Sequence, residues 1–122
     1  MRVLTSDSAA LTSEFGIQVG RWAQYAGIGD TPFGAMWCLV PPGGRTETDC
    51  HSEREMWVVV SGNADVQLPG RTEAAPAGTA VLLDSGEPHV MVNRSDEEPL
   101  VVLSLYWEPG TVAAGAAAAE QG

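Results

Sequence analysis

Between residues 33 and 107 the chain breaks into short apolar runs, each closed by Gly, Pro, Asn or Asp. Residues 33–40 (FGAMWCLV) form the first run, which ends at the PPGG of 41–44. Residues 46–51 are a polar alternating stretch, 55–60 (EMWVVV) are strongly β-forming, and 61–63 turn the chain into 64–68. A loop at 69–78 (PGRTEAAPAG) leads to 79–83, and further runs follow at 89–93 and 100–107 (LVVLSLYW). β-Branched and aromatic residues dominate, and no 3.6-residue period competes over a useful length. The pattern predicts an all-β domain of many short strands, with turns about every eight to twelve residues. A sandwich or closed barrel assembles such strands, and closure also hides their edges. Residues 1–16 predict an N-terminal arm, as an edge strand or a short helix. The Ala/Gly-rich stretch at 110–122 has little to bury and predicts a flexible tail.

Composition narrows the possibilities. At 122 residues the chain is expected to be one domain, able to bury roughly two-thirds of its unfolded surface. An apolar share of 44% supplies a core without disulfide staples. Six basic residues, all Arg, face sixteen acidic ones for a net charge of −10. With no basic stretch, neither nucleic acid nor an anionic membrane surface is an expected partner. The same charge also serves plain solubility. No apolar run approaches the ~20 residues of a membrane span. The start, MRVLTSDSAALTSEFG, lacks the apolar segment of a secretion signal, so a cytoplasmic location is expected. Cys38 and Cys50 form neither a disulfide framework nor a CxxC pair, and two reduced thiols are expected.

Candidate chemistry concentrates on few residues. The chain has two His, His51 and His89, each beside turn glycines on a predicted strand. Asp49 and His51 are two apart, so a strand presents both on one face. Glu55 opens the next strand, and His89 opens one in the second half. If the halves pack face to face, all four side chains meet inside. Imidazole with carboxylate suits Fe, Mn, Ni or Zn, although two His and some carboxylates alone are weak evidence for a metal.

The spacing is more specific. The chain reads Gly43-x5-Asp49-x-His51-x3-Glu55-x6-Gly62 and then Gly78-x5-Asp84-x-Gly86-x2-His89-x3-Asn93. This resembles the two motifs of the cupin family, G-x5-H-x-H-x3,4-E-x6-G and G-x5-P-x-G-x2-H-x3-N. Asp84 replaces the Pro, a loop change, and Asp49 replaces the first His, a metal ligand in the family. Asp is shorter than His, which leaves three arrangements open. The metal sits nearer that strand, a water bridges, or Asp49 stands behind the ligands as a hydrogen-bonded carboxylate. With Asp49 the site holds two His and two carboxylates; without it, His51, Glu55 and His89 make a two-His, one-carboxylate triad with open positions.

The resemblance implies a double-stranded β-helix (jelly-roll) barrel over 17–109 and one divalent metal ion (Fe, Zn, Ni or Mn) held by His51, Glu55, His89 and Asp49. It also implies a small-molecule substrate and a homodimer formed by packing sheets or exchanging N-terminal strands. Trp57 shares the parity of Glu55, and Met91 that of His89. Trp37 and Tyr106 lie on flanking strands, and Arg45 precedes the ligands. These five are the expected pocket, with Arg45 placed to pair with a substrate carboxylate. The bland alternative makes the rings core filler or a dimer face, and Arg45 a surface charge. Glu47 shares the parity of Asp49 and either lines the mouth or faces solvent. Cys50 should point away from the metal.

The resemblance further implies an oxygenase or an isomerase or cyclase of bacterial specialised metabolism, with Glu55 setting the charge at the metal and Asp49, where it is not a ligand, as general base. Two alternatives stand beside it. The stretch LSLYWEPG at 103–110 looks like the cupin modules of hydrazine-forming enzymes, which rearrange an amino-acid ester of a hydroxylamine. A cupin that has lost a ligand can also serve as a non-catalytic small-molecule-binding barrel.

Overall fold

Alternation of apolar and polar side chains makes nearly every element extended. The computed structural model describes residues 1–110; beyond Gly110 the tail expected at 110–122 lies outside the described residues. The described residues form nine strands: β1 (Thr12–Glu14), β2 (Ile17–Arg21), β3 (Gly34–Val40), β4 (Arg54–Ser61), β5 (Asn63–Leu68), β6 (Arg71–Pro76), β7 (Ala80–Leu83), β8 (Val90–Asn93) and β9 (Leu100–Trp107). Two single-turn 3-10 helices, Ser6–Ser8 and Trp22–Gln24, complete the set.

The strands build two antiparallel sheets. One has six strands in the order β1-β2-β3-β9-β4-β7, and the other three in the order β6-β5-β8. The inward residues of both meet in one cluster: Val19, Cys38, Val59 and Val102 from the large sheet, and Ala64, Val66, Ala75 and Met91 from the small one. This face-to-face pair of antiparallel sheets around a single core fits the sandwich or barrel of the strand pattern and is the jelly roll that the motif resemblance implies. Among the described residues no helix is long and apolar enough to cross a membrane.

Two segments differ from the expectation. Residues 71–76, which the sequence pattern places in a loop, form β6 and pair with β5 through all six residues. Only Ala75 of β6 is buried, so the segment carries no apolar signal; its backbone hydrogen bonds to β5 make it a strand. Residues 46–51, whose alternation predicts a strand, make only one isolated bridge, Asp49 with His89, and Arg45 just before them makes another with Val92. Single backbone bonds tie the segment to β8, among them Thr46 N–H to the Met91 carbonyl at 2.9 Å.

Two glycines are required by close approach. Gly62 has φ +88°, and a Cβ there would lie 2.6 Å from the Pro99 carbonyl oxygen; the turn from β4 to β5 passes against that carbonyl, next to a shift in the β4–β9 register. Gly34 faces Tyr106 across the sheet, and a Cβ on it would fall 2.0 Å from the tyrosine ring. The bare backbone lets that ring lie over β3. Asn93, the last residue of the second motif, ties loops together. Its amide donates to the carbonyls of Val40, Pro41 and Glu98 at 2.8–3.1 Å, and its oxygen accepts from Ser95 N–H.

Candidate metal centre

Four elements deliver the polar groups at the barrel interior. The segment before β4 carries Asp49 and His51, β4 carries Glu55 and Trp57, the bridge into β8 carries His89, and β9 carries Ser104 and Tyr106. Glu55, His89 and Ser104 are buried, which demands partners for each.

The centre of the arrangement is the Glu55 carboxylate. Its Oε1 lies 3.0 Å from His51 Nε2 and 3.2 Å from His89 Nε2. Its Oε2 accepts from Trp57 Nε1 at 2.8 Å and from the Ser104 hydroxyl. Burial alone would raise the Glu55 carboxyl. Hydrogen bonds from His89, Ser104 and Trp57 outweigh that and hold it down at about 2. Burial pulls the His89 imidazolium down, but the Glu55 carboxylate and the Glu87 carbonyl together raise it above its ordinary value.

Each ring also has its other nitrogen engaged. His51 Nδ1 lies 3.0 Å from the Glu53 carbonyl and His89 Nδ1 lies 2.8 Å from the Glu87 carbonyl. A carbonyl only accepts, so each Nδ1 carries a hydrogen, and in a neutral ring Nε2 is then a bare lone pair. Both lone pairs face a carboxylate oxygen that is also an acceptor. Something positive must lie among these three atoms, either added protons or a metal ion. Adjacent ligands about 2.1 Å from one ion are about 3 Å apart at right angles, close to the spacing seen. Asp49 is 3.9 Å from His51 Nε2, and one atom each of Asp49, His51 and His89 falls within 4.8 Å of the others. The donor set therefore fits a divalent ion, with Nδ1 hydrogen bonding of the kind that fixes metal-binding imidazoles.

A cavity of about 270 Å³ opens above these groups, walled by Phe15, Arg21, Met36, Asp49, Glu53 and Tyr106. A narrower extension beneath it reaches Cys38, Glu47, Trp57, His89 and Met91. Of the five expected pocket residues, Trp57, Met91 and Tyr106 take their places here. Trp37 does not, because its neighbours Met36 and Cys38 take the inward positions of β3. Its ring lies outside, 5.7 Å from Trp22, and its Nε1 donates to the Tyr25 hydroxyl. Arg45 does not either; it is exposed and donates to Gln67. Cys50 points away as expected, is exposed, and contacts the Gly86 carbonyl. Both cysteines are free, and burial pushes the Cys38 thiol up to about 12.

Met36 and Glu53 of the cavity wall were not among the expected pocket residues, and neither were three further contributors. Ser104 is a polar residue at a fully buried position of β9, and that break in the apolar alternation was a readable signal. Arg21 ends β2, where it chelates Glu14 at 2.8–3.3 Å and donates from Nη1 to the Tyr106 hydroxyl at 2.7 Å. Phe15 sits at φ +56° in the β1–β2 turn beside Gly16 at φ +80°; no local pattern marks it.

Comparisons with known proteins agree with this geometry. The cupin domain family model matches residues 36–106. A cupin 2 conserved barrel domain protein from Salinispora arenicola is 27% identical, with a TM-score of 0.79 over 96% of this chain and 97% of its own. The polyketide cyclase RemF from Streptomyces resistomycificus is 23% identical, with a TM-score of 0.72 over 87% of this chain and 78% of its own. A protein with a double-stranded β-helix domain from Klebsiella pneumoniae is 18% identical, with a TM-score of 0.71 over 91% of this chain and 93% of its own. With both motifs in register, the jelly roll in place and the family model spanning more than half its length, the chain belongs to the cupin family.

Proposed function

We propose that the chain is a metal-dependent cupin enzyme acting on a small organic molecule, of the isomerase or cyclase type. One observation carries this reading: two imidazole lone pairs and a buried carboxylate converge on one point, at the floor of a cavity sized for a small metabolite. His51, His89, Glu55 and Asp49 would hold the ion, which supplies Lewis acidity toward a carbonyl or enol oxygen. Glu55 fixes the charge of the site and is itself held by Trp57 and Ser104.

The remaining groups suit proton movement. Among the described residues the Asp49 carboxylate accepts only from the Cys50 N–H, at 2.9 Å; it lines the cavity, and where His51, His89 and Glu55 hold the ion without it, it is a base for a substrate proton. The Tyr106 hydroxyl accepts from Arg21, so its own hydrogen is available to a substrate oxygen. A base and a donor on the walls of one cavity, above a Lewis acid, can shift a proton without consuming an oxidant.

Two other readings each have an observation in favour. The two-His, one-carboxylate set suits an oxygenase. Residues 103–110, which carry the likeness to hydrazine-forming cupins, supply Ser104 and Tyr106 to the site. The outward row Trp37, Leu103 and Val58, side by side across three strands, supports a homodimer through the large sheet.

Metal content of the purified protein tests the proposal, beside His51→Ala and His89→Ala proteins of unchanged circular dichroism. One equivalent in the wild type and none in the variants is expected. A wild type that neither retains nor takes up Fe, Mn, Ni or Zn overturns it. Oxygen uptake with turnover would replace the isomerase reading by the oxygenase.

A further inference from the structure

We infer that the substrate of this site bears a positive charge: a small molecule with an oxygen donor at one end for the metal and an amine at the other. This rests on the metal-dependent reading and adds the substrate class to it.

The charges around the cavity are lopsided. Among the described residues Arg21 is the one guanidinium or ammonium group lining it, and it is already engaged. Its Nε and Nη2 close on both oxygens of Glu14, and its Nη1 is on the Tyr106 hydroxyl. A guanidinium whose fork is filled by one carboxylate has little to offer a second. A divalent ion would be offset by Glu55 and Asp49. Glu53 is then left over. It lines the cavity, and its carboxylate has no hydrogen-bond or ion-pair partner among the described residues, although its backbone carbonyl holds His51. Glu47, on the deeper extension, adds the same sign. An anion entering this space meets uncompensated negative charge, whereas an ammonium group relieves it.

The walls point the same way. Phe15 and Tyr106 line the same space, and aromatic rings attract cations. Phe15 takes its place at φ +56°, a conformation that costs a bulky residue about 1–3 kcal/mol. Phe15 is the first central residue of the two-residue β1–β2 turn, which takes φ > 0 at both positions, and that turn sets its ring at the cavity wall. The net charge of −10 supplies a field of the same sign over the whole molecule.

Three hydroxamates with one metal-binding head test the inference on cobalt(II)-loaded protein, read by its visible absorption. β-Alanine hydroxamate ends in an ammonium, butyrohydroxamate in a methyl, and succinic monohydroxamate in a carboxylate. The ammonium probe is expected to bind about tenfold tighter than the neutral one, a gap of 1.4 kcal/mol, with the carboxylate probe weakest. Rising salt should narrow the gap. Glu53→Gln should reduce the ammonium preference about threefold or more, with the neutral probe as internal reference. Equal affinities, or tighter binding of the carboxylate probe, overturn the inference and leave the metal reading standing. Absence of cobalt absorption overturns the metal reading and the inference with it. An unchanged preference in Glu53→Gln overturns the assignment of the surplus charge to Glu53.

Discussion

Replacing Glu55 by Gln keeps the shape of the side chain and removes its charge, and the neighbouring groups set the outcome. The Gln oxygen can take the place of Oε2, accepting from Trp57 Nε1 and Ser104. Its NH₂ then points at both Nε2 atoms, which accept while each Nδ1 keeps its hydrogen for a carbonyl. Every group is satisfied with neutral rings and no ion. The cost is the charge-assisted strength of the wild-type bonds. Glu55 falls from 4.5 to about 2, worth about 3 kcal/mol at most, and neutral hydrogen bonds return about half of such a sum. The expected loss is about 1–2 kcal/mol near pH 6, or roughly 3–8 °C for a domain of this size.

The pH dependence is sharper. His89 is raised above 6.5 by its partners, so its contribution is complete below 6.5 and is lost as pH rises through the folded value. Glu55 contributes above 4.5 and is lost as pH falls through about 2. The metal-free wild type should therefore melt highest between 4.5 and 6.5 and lower at about pH 8.5, while Glu55→Gln stays flat over that rise. Metal at a hundredfold excess over Kd should add about 2.7 kcal/mol to the wild type and nothing to the variant. Melts by circular dichroism at three pH values, with EDTA or with zinc, measure all of this. A variant that keeps the metal-induced shift, or a metal-free wild type flat from pH 6 to 8.5, refutes the reasoning.

Two further outcomes are expected. Gly34→Ala drives a Cβ into the Tyr106 ring, so the ring must swing away from Arg21; urea melts should show a loss of about 1–3 kcal/mol, partly recovered in a Gly34→Ala, Tyr106→Ala double variant, and a wild-type midpoint would show the ring is not held there. Asp49→Asn keeps the bond to Cys50 N–H and should fold normally, with metal affinity by competitive chelation lowered about tenfold or more; unchanged affinity would remove Asp49 from the ligand set.

The barrel and the convergence of its polar groups were legible because they depend on local spacing. Glycine-bounded runs predict the strands, and Asp49, His51, Glu55 and His89 stand at motif positions that the two sheets bring together. The walls were less legible, since they depend on pairing between distant strands. Arg21 reaches the cavity through β2–β3 register and a contact with Tyr106, 85 residues away. Trp37 lies outside the expected pocket because parity within β3 can be read either way until Met36 and Cys38 are seen to face the core. Arg45 precedes the ligands in sequence but leans toward Gln67 on the small sheet. β6 is a strand only by virtue of its neighbour, so its residues carry no mark of it.

The two imidazoles are aimed by carbonyls two residues away along the chain, one following its ring and one preceding it. A carbonyl belongs to the main chain and survives any side-chain replacement. Residues 53 and 87 can therefore vary freely in kind without turning either ring, provided the backbone keeps its course. A site oriented in this manner can be re-lined for a different guest by altering its walls alone, which makes this small barrel a convenient frame for redesign.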